Sequence, residues 1–123
     1  MTREWASFTI PGKPVPKGRP RTGQGRVYTP SETRDYETKV GWCGARVMTG
    51  RKPSKAWLRV AIDLYGEDIE KVDADNCAKS ILDGLQKIVY SNDKQVDELY
   101  VRRHRGTPDP RAVVVVTELT TAK

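Results

Sequence analysis

The sequence predicts an α+β fold, in which a single small domain spanning residues 1–123 combines a mixed β-sheet with two helices. The chain has 123 residues, a length that suits one domain, and no internal repeat or long linker divides it. Short runs carry the alternating or β-branched pattern of strands, and two longer segments carry apolar residues at helical spacing. These runs give the order β-(β)-α-β-α-β-β, which is compatible with one sheet and two helices.

The N-terminal segment predicts a strand followed by a cationic loop. Residues 5–10 form the first predicted strand, and Pro11-Gly12 ends it because proline lacks a backbone donor and glycine permits turn angles. Residues 11–26 contain four prolines, four glycines and five basic side chains, which favours a loop. Residues 26–28 form a possible short strand after that loop.

The first predicted helix begins at Thr29-Pro30-Ser31-Glu32. Thr29 is a good capping residue, proline suits the first helical position, and Glu32 completes a capping box. The helix is predicted to run to about residue 48. Gly41 and Gly44 within it either weaken the helix or allow another element to pack closely against it.

The second half predicts three strands and one more helix. Residues 56–65 alternate between apolar and other side chains, as a half-buried strand does. A helix is predicted from about residue 75 to about residue 89, and Ser91-Asn92-Asp93 breaks it. Residues 98–104 form a further strand. The β-branched run at 112–118 is typical of a buried strand.

Composition indicates a cytoplasmic protein. Hydrophobic residues make up 37% and charged residues 31% of the chain, and no apolar run approaches the roughly 20 residues that span a bilayer. The first residues also lack the pattern of a signal peptide. Cys43 and Cys77 have no second ligand at metal-binding spacing, so both are predicted to be buried, reduced thiols.

The charge distribution favours a polyanionic partner. The net charge is +6, yet residues 63–98 hold ten acidic and only four basic side chains. Basic flanks attract a polyanion such as nucleic acid, and an acidic island between them is what a cation site at a phosphate needs. An ordinary acidic turn in a basic protein would give the same composition.

Three aspartates and one lysine are the candidate catalytic residues. Asp73 and Asp75 precede or begin the second helix and Asp93 follows it, so the three meet only if the chain doubles back after the helix. Carboxylates and water are the ligands that Mg²⁺ prefers, and such an ion activates water for attack on a phosphodiester. Lys79 lies one helical turn after Asp75, where an ammonium could neutralise charge on the phosphate.

Each of these residues also has an ordinary structural explanation. Asp73 or Asp75 could cap the helix N-terminus, and Lys79 could form an exposed pair one turn away. Asp93 is a common turn residue. The only histidine, His104, lies among arginines and is predicted to be a surface residue rather than a catalytic base.

The proline- and glycine-rich loop is the candidate DNA-binding segment. Arginine forks pair well with phosphates, lysine adds point charge, and prolines would hold these side chains at fixed spacing. Contacts of this kind position DNA without reading its sequence. A solubilising loop is the alternative. The predicted DNA-binding residues are Lys13, Lys17, Arg19, Arg21 and Arg26.

Three segments, in this order and spacing, resemble the RusA family of Holliday-junction resolvases. They are Pro11–Arg21, the run Asp73-Ala74-Asp75-Asn76 with Lys79 and Ile81-Leu82-Asp83-Gly84-Leu85, and Asn92-Asp93-Lys94-Gln95-Val96. The resemblance covers most of residues 8–105. It implies a small homodimer that depends on Mg²⁺, with Mn²⁺ as a possible substitute, and that resolves four-way DNA junctions by paired nicks in recombination and repair.

The resemblance also assigns roles to residues. Asp73, Asp75 and Asp93 look like the family's catalytic, metal-binding carboxylates, and Lys79 looks like its catalytic lysine. Asp83-Gly84 matches a helix signature whose role is structural or catalytic.

One departure is Asn92, where the family often has a second aspartate; an amide lowers the negative charge of the site.

A two-fold dimer suits a junction with two-fold symmetry. Trp42 and Trp57 are candidates for the dimer interface, although core packing is the favoured role.

Two other functions remain open at this point. One is a branched-DNA-binding protein without nuclease activity, which Asn92 favours. The other is a metal-dependent nuclease with a different structural specificity, acting on flaps, forks or RNA. An interaction protein whose acidic island docks a basic partner is a more distant alternative.

Overall fold

The computed structural model describes residues 2–17 and 30–119. No helix within these ranges is long and apolar enough to cross a membrane. The predicted strand at residues 26–28 lies outside the described residues. In the described part of the chain the elements are β1 (Thr2–Pro11), α1 (Pro30–Val47), β2 (Trp57–Tyr65), a 3-10 turn (Ile69–Lys71), α2 (Ala74–Leu85), a second 3-10 turn (Asp93–Gln95), β3 (Val96–His104) and β4 (Arg111–Leu119).

The four strands form one mixed sheet in the order β1-β4-β2-β3. β4 lies between β1 and β2 and is antiparallel to both, whereas β3 is parallel to β2. A parallel neighbour needs a crossover, and α2 provides it between β2 and β3. The predicted fold class, a small α+β domain with a mixed sheet and two helices, is confirmed.

The two helices cover one face of the sheet, which we call the inner face. α1 packs on β1 and on α2, and α2 packs next to β3. Alternate strand residues point into this layer, because successive side chains of a strand face opposite sides. The fully buried strand residues are Ile10, Leu58, Val60, Ile62, Leu64, Ala112, Val114 and Val116.

Within the described residues, the opposite face of the sheet, called the outer face, has no helix over it. The middle strand β4 nevertheless places Val113 and Val115 there, and Ala61 of β2 lies beside Val115. These three side chains are partly buried by their neighbours alone. The β-branched run of β4 is therefore apolar on both faces although only one face is covered.

The two tryptophans expected in the core are instead exposed. Trp42 on α1 is 76% exposed, and Trp57 at the start of β2 is 49% exposed. Trp57 points to the outer face, as does Tyr100 of β3, which is 52% exposed. The prediction of core packing for Trp42 and Trp57 was wrong because neither faces the layer between helices and sheet.

α2 ends at Leu85, four residues earlier than the sequence predicted. Gln86 has extended backbone angles and Lys87 has a φ of 68°, in the left-handed region where a helix cannot continue. The chain then turns back, and Lys87 N–H donates to the carbonyl of Tyr90 at 2.6 Å. The sequence prediction ran too far because apolar residues keep helical spacing through Val89. The Val89 side chain is indeed buried, but it lies in a turn rather than in a helix.

Glycines allow α1 and α2 to pack closely. A Cβ at Gly84 would lie 2.8 Å from the carbonyl oxygen of Glu37 and 3.0 Å from Cβ of Val40. A Cβ at Gly44 would lie 2.8 Å from the Leu85 side chain. Close packing, rather than a weakened helix, is therefore the role of these glycines.

We expect Gly84→Ala to lower the free energy of unfolding by about 1–3 kcal/mol, because the added methyl meets the backbone of α1 and cannot be relieved by a side-chain rotation. Denaturant unfolding measures the change. Gly66→Ala is the matched control, since its Cβ would meet only ordinary contacts at 3.9 Å. Equal stability of Gly84→Ala and wild type would mean that the helices separate easily at this point.

Candidate active site

The start of α2 is fixed by Asp73. Its Oδ1 accepts hydrogen bonds from the backbone N–H groups of Asp75 at 3.0 Å and Asn76 at 3.3 Å. This is the N-cap arrangement that satisfies otherwise unpaired donors of the first helical turn. Capping was one of the two roles that the sequence left open for Asp73, and the structure shows that the side chain has it.

A groove between α2 and β3 contains the other three candidate residues. Asp75 and Lys79 lie one turn apart on the same side of α2, and Asp93 belongs to the turn before β3. The groove has a volume of about 280 Å³, and its floor is apolar. Its lining residues are Asp75, Ala78, Lys79, Leu82, Asp93 and Leu99.

Asp93 reaches the groove because the chain doubles back after α2, as the sequence argument required. Tyr90 anchors this return: it is fully buried, and its hydroxyl donates to the carbonyl of Leu82 at 2.6 Å. Gln86 also contributes, because its Oε1 accepts the backbone N–H of Asp93 at 3.2 Å. The segment that carries Asp93 is thus attached to the C-terminal end of α2.

Two buried groups near the groove are held in their neutral forms. Burial raises the pKa of the Tyr90 hydroxyl, and the charges of Asp93 and Asp83 raise it further, so the hydroxyl remains a donor. Burial, with a contribution from the charge of Asp73, raises the pKa of the Cys77 thiol to about 12. Cys77 is therefore a buried, unreactive thiol, as predicted. Cys43 is also a free thiol but is only partly buried.

The described residues contain no group of three or more His, Cys, Asp or Glu side chains arranged to hold a metal ion. Of the three predicted aspartates, Asp73 caps α2 through Oδ1 and is not among the residues that line the groove. Asp75 and Asp93 remain in the groove. Two carboxylates are enough for Mg²⁺, which usually keeps several waters and binds substrate phosphate. The groove thus fits such an ion through oxygen ligands.

Asn92 has a local structural role. Its Oδ1 accepts the backbone N–H of Lys94 at 2.8 Å, and its own backbone N–H donates to Gln95 Oε1 at 2.7 Å. The two bonds form a capping box at the start of the second 3-10 turn. Asn92 is exposed and is not among the residues that line the groove.

Lys17, predicted to bind DNA, is half-buried and forms two ion pairs with other residues of the protein. Its Nζ lies 2.6 Å from Glu37 Oε2 and 2.7 Å from Asp83 Oδ2, so it joins α1 to α2. Burial lowers the pKa of Lys17, but the bonds to Asp83 and Glu37 outweigh burial, and the pKa is raised overall. Asp83 of the helix signature thereby has a structural partner.

The backbone around Lys17 is also held. Lys17 N–H donates to the carbonyl of Asn76 at 2.9 Å, the Ser80 hydroxyl to the carbonyl of Val15 at 2.6 Å, and the Thr33 hydroxyl to the carbonyl of Pro16 at 3.1 Å. The start of the basic loop is thus fixed against both helices. These bonds fix residues 15–17 against α2, the helix that carries Asp75 and Lys79, and against α1.

We expect Lys17→Met to lower the free energy of unfolding by about 1–3 kcal/mol at neutral pH, because Glu37 and Asp83 lose their shared cation. A raised lysine pKa stabilises the folded state below the ordinary value of 10.5, and this contribution disappears as pH rises through the folded-state pKa. The stability gap between wild type and variant should therefore narrow above about pH 10.5. Denaturant unfolding across this range measures it.

Lys13→Met is the control for that experiment, since Lys13 is exposed. Its stability should stay within about 0.5 kcal/mol of wild type. A Lys17→Met protein that kept full stability would show that the two ion pairs contribute nothing measurable.

The other predicted basic residues are outside the described part of the chain: Arg19, Arg21 and Arg26.

His104 is a partly exposed residue whose Nε2 lies 2.7 Å from Asp63 Oδ1 and whose ring stacks on Tyr65. It lies on the outer face, away from the groove. The expectation that His104 is not the catalytic base agrees with this position.

Sequence reasoning missed four residues that build the site: Gln86, Tyr90, Gln95 and Leu99. Leu99 is part of β3 and lines the groove. Gln86, Tyr90 and Gln95 hold the chain where it turns back after α2. Tyr90 carried a signal, because an aromatic followed directly by Ser-Asn-Asp is a candidate anchor for a turn. Gln95 also carried one, because it closes a capping box with Asn92 three residues earlier, whereas the partner of Gln86 lies in the following turn and no local pattern indicates it.

Comparison with protein families identifies the family of the chain. The sequence model of endodeoxyribonuclease RusA matches residues 11–117, which is most of the chain. No individual curated protein gives a match. The match covers the basic segment, α2 with its groove and the turn that carries Asp93, and it makes the protein an endodeoxyribonuclease. The chain belongs to the RusA family, whose nucleases act on Holliday junctions and other branched DNA.

Proposed function

We propose that the protein resolves Holliday junctions by paired symmetric nicks that depend on Mg²⁺, with Mn²⁺ as a substitute, in DNA recombination and repair. The observation that carries this proposal is the groove in which Asp75, Lys79 and Asp93 lie together. The family match supports junction DNA as the substrate. A cytoplasmic location, expected from the sequence, is part of the same proposal.

The residues of the groove would divide the chemistry between them. Asp75 and Asp93 would supply carboxylate oxygens to the divalent ion, which when bound activates water and stabilises the leaving oxygen. Lys79 would donate to a non-bridging phosphate oxygen, where an ammonium stabilises the charge that develops in the transition state.

Asp73 remains in the proposal as a third ligand. Both of its hydrogen bonds within the described residues use Oδ1. Oδ2 accepts none of the bonds seen in that part of the chain, so capping and metal binding are compatible. The cap would then orient the carboxylate, as hydrogen bonds to metal-binding carboxylates commonly do.

Basic side chains of the segment that precedes α1 would hold the phosphodiester backbone. Lys13 is exposed, and it belongs to the segment whose fixed backbone runs beside α2. Arg19, Arg21 and Arg26 follow in the same segment of the sequence. Lys17 would act indirectly, by holding the base of this segment in place through Asp83 and Glu37.

A homodimer is part of the proposal, and the outer face is the surface that supports it best. The strands are nine or ten residues long, so four strands spaced about 4.8 Å apart present roughly 570 Å². A stable interface buries about 800 Å² per partner, so this face with its rim approaches the required size. Its centre is apolar: Ala61, Val113 and Val115.

The charges of the outer face suit a second copy of the chain better than DNA. Arg59 pairs with Glu98 at 2.6 Å, and Asp63 pairs with Arg102 at 2.9 Å. Charges that are already paired can approach an identical face without strong repulsion, whereas a phosphate backbone would need unpaired cations. Two-fold contact between outer faces would leave both grooves free, one for each strand to be cut.

Cleavage of a synthetic four-way junction tests the proposal. Each strand is labelled in turn, and the protein is added with Mg²⁺, Mn²⁺ or a chelator, with a linear duplex and a replication fork as competing substrates. We expect symmetric nicks in two opposing strands that require a metal, while the duplex stays intact. Preferred cutting of the fork would identify a nuclease of different structural specificity.

A non-catalytic junction-binding protein is the second candidate function. Asn92 in place of an acid and the absence of a three-acid cluster among the described residues favour it. Junction binding without nicks under both metals would support this alternative. In that case Asn92→Asp, which can keep the cap because aspartate caps as well as asparagine, is the first variant to test for gained cleavage.

A further inference from the structure

The turn that carries Asp93 is tied to the strand layer by Gln95. The amide oxygen of Gln95 accepts the backbone N–H of Asn92 at 2.7 Å. Its amide nitrogen donates to the carbonyls of Ser54 at 2.9 Å and Ala56 at 2.8 Å. Both N–H donors of the amide are therefore in use, and they attach the turn to the segment that leads into β2.

Gln86 holds the same turn from the other side. It is the first residue after α2, and its amide oxygen accepts the backbone N–H of Asp93 at 3.2 Å. Neither Gln86 nor Gln95 is among the residues that line the groove. Two uncharged side chains, one before and one after Asp93 in the sequence, thus hold the consecutive backbone N–H groups of Asn92 and Asp93 without entering the site.

We propose that Gln86 and Gln95 are positioning residues that direct the Asp93 carboxylate into the groove and so set its affinity for a divalent cation. This inference rests on the proposed function, because it takes Asp93 as a metal ligand. Without these bonds, the carboxylate on this short surface turn would sample many orientations. Because only one of them suits the cation, holding the turn in that orientation strengthens binding. Groups that orient metal ligands typically contribute about 10–100-fold to metal affinity.

Gln95→Met tests the inference, because methionine has a similar length but cannot form the three hydrogen bonds. Calorimetric titration of the DNA-free protein with Mn²⁺ should show a Kd at least about 10-fold higher than in wild type. The Mn²⁺ concentration for half-maximal junction cleavage should rise by the same factor, while the rate at saturating Mn²⁺ stays close to wild type. Junction affinity in Ca²⁺ should not change.

A merely structural role predicts a different result. It would lower the free energy of unfolding while leaving the Mn²⁺ Kd of the folded protein unchanged, and that result would overturn the inference. Lys94→Met is the matched control in the same turn: removing a cation there should not weaken Mn²⁺ binding. If Gln95→Met fails to fold, as judged by circular dichroism, Gln86→Met decides the question because it removes a single hydrogen bond.

The wild-type titration separates this inference from the proposed function. If wild type binds no Mn²⁺ at all, the proposed metal site itself is wrong. If wild type binds Mn²⁺ and the folded glutamine variants bind it equally well, the site stands and the positioning role is wrong.

Discussion

We expect Asp75→Asn to reduce junction cleavage by about 1,000-fold or more while leaving the protein folded and able to bind the junction. Asp75 lies in the groove, exposed, on the first turn of α2. An amide in its place removes one of the two carboxylates that line the groove, but it keeps the size of the side chain. Single-turnover cleavage in Mg²⁺ and Mn²⁺, with binding measured in Ca²⁺, separates the chemical step from binding.

Two further substitutions make this result specific. Asp97→Asn removes the same charge from an exposed position on β3 that does not line the groove, so it should cut at close to the wild-type rate. Asp73→Asn keeps the cap, because asparagine and aspartate cap equally well. A loss of cleavage in Asp73→Asn at unchanged stability would identify Asp73 as a ligand; wild-type cleavage would leave capping as its whole role. Asp75→Asn cutting at the wild-type rate would refute the assigned site.

The order of elements could be predicted from sequence because local patterns determine it. The alternation in β2 and the β-branched run in β4 both gave strands within one residue of their observed bounds. The end of α2 could not be found in this way. Apolar residues continue at helical spacing through Val89, and only the tertiary position of Tyr90, paired with Ser54, shows why the chain leaves the helix at Leu85.

The candidate site was predictable in its residues but not in their partners. Asp75, Lys79 and Asp93 were singled out by residue type and spacing, and they line one groove. Lys17 was assigned to DNA because its surroundings in sequence are basic. Its partners within the described residues, Glu37 and Asp83, are 20 and 66 residues away, and no local pattern could reveal them.

Sheet order explains why the uncovered apolar outer face, on which we base the proposed dimer, could not be recognised from the sequence pattern. From the sequence alone, a run that is apolar at every position indicates a strand covered on both sides. The structure places β4 in the centre of the sheet, and the described helices lie on one side only. Val113 and Val115 on the outer face are therefore left without a helix over them in the described part of the chain. An unpaired apolar sheet face on a small domain is typical of an interface.

We expect Val115→Lys to convert a dimer into a monomer, because it puts an ammonium at the centre of the outer face, where an identical ammonium of the second copy would oppose it. Light scattering with size-exclusion chromatography should show the mass falling from about twice 13.9 kDa to 13.9 kDa. The lysine points away from the core, so the fold should survive. Junction cleavage should change from paired nicks to uncoupled single nicks, since two grooves are no longer held together.

Trp42→Lys distinguishes this surface from the other exposed apolar position. Trp42 lies on α1, in the helical layer, and is more exposed than Trp57. If the outer face is the interface, Trp42→Lys remains dimeric and keeps paired nicking. If Trp42→Lys dissociates while Val115→Lys stays dimeric, the interface lies on the helical side. The two grooves would then have to reach the junction from a shared helical layer, and the apolar outer face would need another partner.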